Sequence, residues 1–189
     1  GAKEPFPHAL CVSLNEVVVH GRPRFGQVLR PGDVIKIDLG VKYKGYYTDA
    51  ARTIFLEPIS KEVKTLIKVT EEAFYEGVKY AREGFRLGDL GFAIQSHIES
   101  SNFKILRGLT GHGIGRDLHE EPSINNFGKP GKGIKLRKGM VLAIEPMASI
   151  GSPDVIQMED DSYCTKDRSI SAHFENTILV TEEEPFILT

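Results

Sequence analysis

The sequence has few cysteines, no tryptophan, no excess of positive charge and no long apolar segment. Its 189 residues include only two cysteines, Cys11 and Cys164, which are too few for a disulfide framework and favour a reducing cytoplasm. The net charge of −2 argues against a nucleic-acid-binding protein, which usually has a basic excess. No apolar run approaches the roughly 18 residues of a membrane span, and the start does not resemble a signal peptide. We therefore expect a cytoplasmic globular protein that binds neither nucleic acid nor membranes.

The most informative feature that is present is a duplicated segment ending in an acid. The stretch LRPGDVIKID, which ends at Asp38, aligns with LRKGMVLAIE, which ends at Glu145. Each copy is followed by a second acid that begins another apolar run, Asp49 in the first half and Glu175 in the second. Crowded carboxylates repel one another unless they are protonated or bridged by cations. The repeat therefore predicts a metal site at the junction of two similar halves, within one domain spanning residues 1–189.

Hydrophobic periodicity predicts strands at both ends of the chain and two helices between them. Strands are expected at residues 10–20, 140–147 and 174–181, and helices at 60–82 and 87–98. Because the order is strands, helices, strands, the pattern indicates an α+β fold.

The hairpin that follows Asp38 determines how the first two acids face each other. A turn centred at Tyr43–Lys44 pairs Asp38 with Asp49, whereas a turn centred one residue later places them on a diagonal. In either register they are cross-strand neighbours, and like charges in that position are destabilising on their own. A cation between them is therefore expected.

Histidines add nitrogen donors to this set of acids. His112 lies between two glycines, where the backbone can approach a ligand closely, and His119 follows seven residues later. Four acids and one imidazole suit Mn, Fe, Co or Zn, and four carboxylates favour two metals that share bridging acids. The alternative is that the acids lie at strand ends in water. His20, before Gly21, is ambiguous by itself. Three further histidines are interpreted as structural: His8, His97 and His173.

Seven short motifs occur in one order along the chain: NEVVVHG, ID, TD, GHGIG, HEEP, IEPM and HFE. From about Phe6 to the C-terminus, their order and spacing resemble those of type I methionine aminopeptidases. The long insertion of the type II enzymes is absent between His119 and Glu145. The resemblance implies the pita-bread fold, an antiparallel sheet with backing helices and an internal pseudo-twofold repeat. It also implies an enzyme that removes N-terminal methionine from nascent proteins by means of a water activated by two divalent metals.

The resemblance also implies roles for individual residues. The metal ligands would be Asp38, Asp49, His112, Glu145 and Glu175. As catalytic groups, Glu145 would shuttle a proton, His119 would bind the substrate and stabilise the tetrahedral intermediate, and His20 would contact the scissile amide. The apolar pocket for the methionine side chain would be lined by Phe6, Cys11 and Leu118.

The sequence departs from the type I pattern at its start, and other functions stay open. Type I enzymes usually have some tens of residues before the Phe-Pro segment, whereas only four residues precede Pro5 here, so an N-terminally short catalytic domain is expected. Prolidase and aminopeptidase P share the five ligands and form the first alternative. A non-catalytic pita-bread binding module is the second, although such a module would be expected to have lost ligands. For the aminopeptidase, we expect a monomer that acts on N-terminal Met peptides, with association with the ribosome plausible.

Overall fold

The structure, a computed structural model, describes residues 6–189, and in that range two helices lie among fourteen strands. The helices are α1 (Lys61–Val78) and α2 (Leu87–Ser100). The strands are β1 (Cys11–Leu14), β2 (Val17–Val19), β3 (Val34–Tyr43), β4 (Tyr46–Phe55), β5 (Lys104–Ile105), β6 (Gly111–Gly113), β7 (Glu120–Ile124), β8 (Val141–Ile144), β9 (Met147–Ser149), β10 (Val155–Gln157), β11 (Tyr163–Thr165), β12 (Ser171–His173), β13 (Glu175–Leu179) and β14 (Phe186–Ile187). The first four residues and Pro5, on which the expectation of a short N-terminus depends, lie outside the described residues.

The main sheet is antiparallel and nearly symmetric about its centre. Its strand order is β1-β3-β4-β13-β8-β6-β7, with β14 added beside β13. Strands β4 and β13 meet in the middle, and β3 and β1 on one side correspond to β8 and β6 on the other. The duplicated sequence segments therefore supply equivalent strands, β3 and β8, and the α+β expectation is confirmed.

The hairpin between β3 and β4 adopts the second of the two registers considered above. Lys44 and Gly45 occupy the turn with φ of 50° and 86°, the left-handed values that a two-residue type I′ turn requires. Tyr43 consequently pairs with Tyr46, and Asp49 pairs with Gly40 instead of Asp38. The two acids are therefore diagonal neighbours on the same face of the hairpin.

Both helices form where the periodicity predicts them, with different ends. Helix α1 begins after Ser60, whose hydroxyl accepts a hydrogen bond from the Val63 N–H at 3.2 Å. The helix ends at Val78, four residues before the expected Arg82. The N–H groups of Tyr80 and Ala81 donate to carbonyls three residues earlier instead of four, and Arg82 pairs with Thr181. Helix α2 extends two residues beyond its expected end at Ile98. Neither helix is long and apolar enough to cross a membrane.

The helices pack together and against a second, three-stranded sheet of order β12-β9-β5, and their apolar side chains cluster with those of β8 and β13. A Cβ atom at Gly77 would lie 2.6 Å from Ile94 Cγ1, so glycine permits the close approach of α1 to α2. The core that they enclose includes Leu66, Phe74, Leu90, Ile94, Leu142, Ile144 and Ile178. Burying each such side chain contributes about 1.5–3 kcal/mol, so this core anchors the strands that carry the second pair of acids.

Candidate metal centre

The acids that follow the duplicated strands converge on one cavity of about 480 Å³. Asp38 lies on β3 and Asp49 on β4, whereas Glu145 directly follows β8 and Glu175 begins β13. Because β4 and β13 are paired at the centre of the sheet, the acids of the two halves meet across that junction. The sequence repeat therefore does bring four carboxylates together.

Burial and mutual repulsion favour the protonated forms of these acids. Burial and the charge of Asp49 raise the pKa of Asp38 to about 7. Burial also raises the pKa of Asp49, against the hydrogen bond from the Ala50 N–H. The pKa values of Glu145 and Glu175 lie well above their usual range, because both side chains are buried and the other acids are close. In the part of the chain that the structure describes, no lysine or arginine forms a salt bridge with any of the four.

His112 supplies a nitrogen donor from the opposite wall. A Cβ atom at Gly111 would lie 2.4 Å from Ala143 O, and one at Gly113 would lie 2.2 Å from Glu121 O, so both flanking positions require glycine. The Nδ1 atom of His112 is 2.8 Å from Gly113 O, which orients the ring and leaves Nε2 free. Nε2 lies 3.8 Å from Glu145 Oε1 and 4.0 Å from Asp49 Oδ2.

These residues fit a divalent cation. The donor atoms of Asp49, His112 and Glu175 all lie within 4.8 Å of one another. Glu175 Oε1 is buried without a hydrogen-bond partner, which is costly for a polar atom unless something binds it. Carboxylate and imidazole donors suit first-row divalent metals, and a cation would also relieve the repulsion among the acids.

His119 and His20 line the same cavity at its open side. The His119 ring is exposed and meets the His112 ring edge-on, with a centroid distance of 4.4 Å. His20 follows β2 with a positive φ of 59°, and its ring lies 5.9 Å from that of Tyr163. A Cβ atom at the next residue, Gly21, would lie 2.3 Å from Val12 O, so the chain can turn there only with glycine. Both histidines are therefore positioned to contact a ligand in the cavity.

The three residues expected to form the apolar pocket are not among those that line the cavity. Phe6 is 39 % exposed, and its ring packs against that of His8. Cys11 pairs with Asp38 across β1 and β3, and burial raises the pKa of its thiol to about 12, so the thiol stays protonated. Leu118 lies against Gly40. The cavity is instead lined at its apolar side by Val19, Leu109, Thr110 and Tyr163. The pocket role of Phe6, Cys11 and Leu118 stays a prediction.

Sequence reasoning missed His173, which the fold buries beside the acids. The residue is 1 % exposed, and its Nε2 atom lies 3.7 Å from Glu145 Oε2 and 3.9 Å from Glu175 Oε2. Burial, together with the positive charge of Lys36, lowers the pKa of His173 to about 3, so the ring is neutral. A signal was available, because His173 and Glu175 are two residues apart and strand side chains alternate.

Lys36 is a second buried residue whose position the sequence did not indicate. It is 1 % exposed, and its Nζ atom donates to Asn15 O at 2.6 Å and to Ser171 O at 3.4 Å. Burial lowers the pKa of this ammonium to about 7. Because the two carbonyls belong to the β1–β2 turn and to β12, Lys36 joins the two halves of the chain beneath the acids.

The fold and the acid cluster agree with the results of comparison with known proteins. The chain belongs to metallopeptidase family M24, whose model matches residues 1–182, and it is a metal-dependent hydrolase. Methionine aminopeptidase of Clostridium acetobutylicum is 46 % identical over 185 residues, which are 97 % of this chain and 74 % of that protein. The crystal structure of methionine aminopeptidase from Rickettsia prowazekii has a TM-score of 0.93 at 41 % identity, covering 96 % of this chain and 74 % of that one.

A prolidase structure is also similar, but less so. Recombinant prolidase from Thermococcus sibiricus has a TM-score of 0.75 at 27 % identity and covers 95 % of this chain but 44 % of that one. The resemblance to methionine aminopeptidases that the motifs suggested is confirmed, and with it the pita-bread fold.

Proposed function

We propose that this protein is an aminopeptidase that removes N-terminal methionine from peptides and nascent chains with the help of two divalent metal ions. The observation that carries the proposal is the meeting of four carboxylates, two from each half of the sheet, with His112 beside them. Asp49 and Glu175 are buried, and Asp38 and Glu145 are partly buried. Because the carboxylates repel one another, such a cluster is unfavourable without cations. It lines the cavity that a peptide terminus can enter. Proteins similar to this chain are named methionine aminopeptidase.

The proposed ligands are the five residues whose donor atoms face that cluster: Asp38, Asp49, His112, Glu145 and Glu175. Four carboxylates exceed what one ion needs and suit two ions that share bridging acids, for which Asp49 and Glu175 are our candidates. Bound divalent metals would polarise the substrate carbonyl and make a water nucleophilic near neutral pH. Co, Mn, Fe and Zn all match the donor set, because ligand type alone does not select among them.

The remaining roles are proposed for groups that can touch the substrate. Glu145 lines the cavity beside the other acids, where its carboxylate can take a proton from the attacking water and pass it to the leaving amine. His119 is exposed at the cavity wall and can donate a hydrogen bond to the peptide carbonyl oxygen as negative charge develops there. His20 lies across the cavity mouth beside Tyr163, where it can contact the scissile amide. In this proposal, His119 and His20 orient the peptide, and Glu145 transfers the proton.

The two alternatives raised by the sequence have less support. A proline-directed peptidase would use the same acids, but the similarity to prolidase is much weaker than that to methionine aminopeptidases. A non-catalytic binding module is disfavoured because every acid and the imidazole needed for a metal centre are present and converge. We propose further that residues 1–189 act as one catalytic domain, as a monomer in the cytoplasm, where nascent chains carry the substrate.

The experiment that tests this proposal is release of methionine from the peptide Met-Ala-Ser. The metal-free protein is assayed with and without Co(II) or Mn(II), beside the variant Asp49→Asn and the control Asp154→Asn. Asp154 is an exposed acid outside the cavity, paired only with Lys166, so its amide should leave activity unchanged. We expect metal-dependent release by the wild type and the control, and none by Asp49→Asn.

Three outcomes would contradict the proposal in different ways. Faster cleavage of Ala-Pro-Ser than of Met-Ala-Ser would identify a proline-directed peptidase. Equal release by Asp49→Asn and the wild type would remove the acid cluster from the mechanism. Absence of both metal binding and release would favour the binding module.

A further inference from the structure

His173 is the one histidine of the cavity region whose ring lies wholly inside the protein. It is 1 % exposed, and neither ring nitrogen has a hydrogen-bond partner. Leaving a buried polar atom without a partner is costly, so a neutral imidazole is poorly accommodated here unless something binds it. The aminopeptidase mechanism proposed above makes no use of this residue.

The surroundings of His173 Nε2 are those of a metal ligand. Nε2 lies 3.7 Å from Glu145 Oε2 and 3.9 Å from Glu175 Oε2, which is too far for a hydrogen bond. Ligands that each lie about 2.0–2.2 Å from one ion are separated from each other by about 3–4 Å. His112 Nε2 stands at a similar distance, 3.8 Å, from the other oxygen of Glu145. The two imidazoles therefore flank the Glu145 carboxylate, one at each oxygen.

The backbone holds His173 firmly in this position. Its N–H donates to Thr53 Oγ1 at 2.9 Å, and Thr53 Oγ1 donates to its carbonyl at 2.7 Å, which fixes the residue against β4. Glu175 Oε1, two residues later, also lacks a hydrogen-bond partner. One cation between His173 and Glu175 would satisfy both. The Nδ1 atom of His173 has no partner with or without a cation, so it does not distinguish the two states.

We infer that His173 is a second imidazole ligand, whose Nε2 atom binds the divalent cation held by Glu145 and Glu175. This inference rests on the metal centre of the proposed function and adds a sixth protein ligand to it. A second imidazole makes the donor set richer in nitrogen, which strengthens binding of Co(II), Fe(II) or Zn(II) more than that of Mn(II). The chain should therefore discriminate more strongly against Mn(II) than a centre with one imidazole.

The test counts the imidazoles bound to cobalt. In the Co(II)-loaded protein, the N–H proton of each ligating imidazole gives a strongly shifted proton NMR signal that disappears in D2O. We expect two such signals in the wild type, one in His173→Gln, and two in the control His8→Gln, whose ring is exposed and away from the acids. His173→Gln should also weaken Co(II) binding at least tenfold while changing Mn(II) binding less.

The wild-type spectrum alone can overturn the inference, even if the variant does not fold. A single exchangeable shifted signal in the wild type would mean that His112 is the only ligating imidazole. Retention of two signals in His173→Gln would have the same consequence for His173. By contrast, failure of the wild type to bind Co(II) at all would contradict the proposed metal centre itself, so the two failures are distinguishable.

Discussion

The two halves of the main sheet share a strand pair but differ in what covers their outer faces. In the second half, Leu142, Ile144 and Ile178 are at most 1 % exposed because α1 and α2 pack over them. In the first half, Ile35, the equivalent of Leu142, is also 1 % exposed, but Ile37, the equivalent of Ile144, is only partly buried. Leu39 and Val41, further along the same face of β3, are 39 % and 49 % exposed.

The inner faces also differ at one equivalent position of the repeat. Ala143 stands in β8 where β3 has Lys36, and both are buried. The lysine reaches the carbonyls of Asn15 and Ser171, whereas the alanine lets His112 and its strand approach β8. The comparison teaches that the repeat specifies where the acids lie, whereas the surroundings of each half determine how rigidly they are held.

The largest expected effect comes from removing one acid of either half. Asp38→Asn and Glu175→Gln should each lower methionine release at least a hundredfold, because even groups that only support a metal ligand affect metal centres by about 10–100-fold. If both halves build one centre, the double variant should be no less active than the worse single variant. Steady-state assays at saturating Co(II) would test this. Multiplicative losses in the double variant would indicate that the halves act separately.

The next largest effect is a difference in stability loss between alanine variants at two equivalent apolar positions of the repeat. Ile144 is 0 % exposed beneath the helices, whereas Ile37 is only partly buried. Ile144→Ala should lower the free energy of unfolding by about 3–4 kcal/mol, and Ile37→Ala by about 1–2 kcal/mol. Urea unfolding of both variants in the presence of chelator would measure the difference. Equal losses would show that the helices do not distinguish the two halves.

The contribution of the four acids to the stability of the metal-free protein should fall as the pH rises. The pKa of Asp38 is raised from 3.8 to about 7, and those of Asp49, Glu145 and Glu175 are also raised. The folded state therefore holds more protons than the unfolded state above pH 4, so its stability is lost as the pH rises through these raised pKa values. We expect these acids alone to contribute a loss of about 2–3 kcal/mol between pH 5 and pH 8. The lowered pKa values of His173 and Lys36 act in the opposite direction, because those groups destabilise the folded state less as the pH rises.

Metal should reverse this trend, because the ligands must lose their protons to bind it. Stabilisation by Co(II) should accordingly grow from pH 5 to pH 8. Without metal, the stability of the wild type relative to Glu175→Gln, which lacks one of the buried acids, should fall from pH 5 to pH 8. Urea midpoints whose difference between the two proteins does not fall over this range would refute the raised pKa values of these acids.

The smallest effect is expected from replacing Lys36 by an apolar residue, since the equivalent position of the second half, Ala143, is also apolar. The pKa of this lysine is lowered from 10.5 to about 7, so the folded state holds fewer protons than the unfolded state between these values. Lys36→Met should therefore stabilise the metal-free protein by about 1–2 kcal/mol at pH 7, since an apolar side chain avoids the cost of a buried charge. The gain should shrink towards pH 10, where the unfolded lysine also loses its proton. A variant that is less stable than the wild type at pH 7 would contradict this.

Local chemistry in the sequence predicted which acids meet in the cavity. The repeat placed Asp38 and Glu145, and likewise Asp49 and Glu175, at equivalent positions of the two halves, and the glycines around His112 indicated a close approach of backbone. The register of the first hairpin was left open, because Tyr43–Lys44 and Lys44–Gly45 are both acceptable turn centres. Only the left-handed φ values of Lys44 and Gly45 decide between them.

The rest depends on contacts between segments that are distant in sequence. Tyr163 and Leu109 line the cavity from separate loops, so no local pattern connects them with each other or with His20. The early end of α1 results from pairing of Arg82 with Thr181, about a hundred residues later. His173 was overlooked because a lone histidine is usually structural, although its alternation with Glu175 pointed to the cavity.

Anomalous diffraction from crystals grown with Co(II) would show whether the two halves of the sheet build one metal centre. We expect two cobalt peaks per chain at the junction of β4 and β13, in contact with acids of both halves: Asp38, Asp49, Glu145 and Glu175. Peaks that contact acids of one half only, or no peak at this junction, would contradict the claim that the duplicated strands build one shared metal centre.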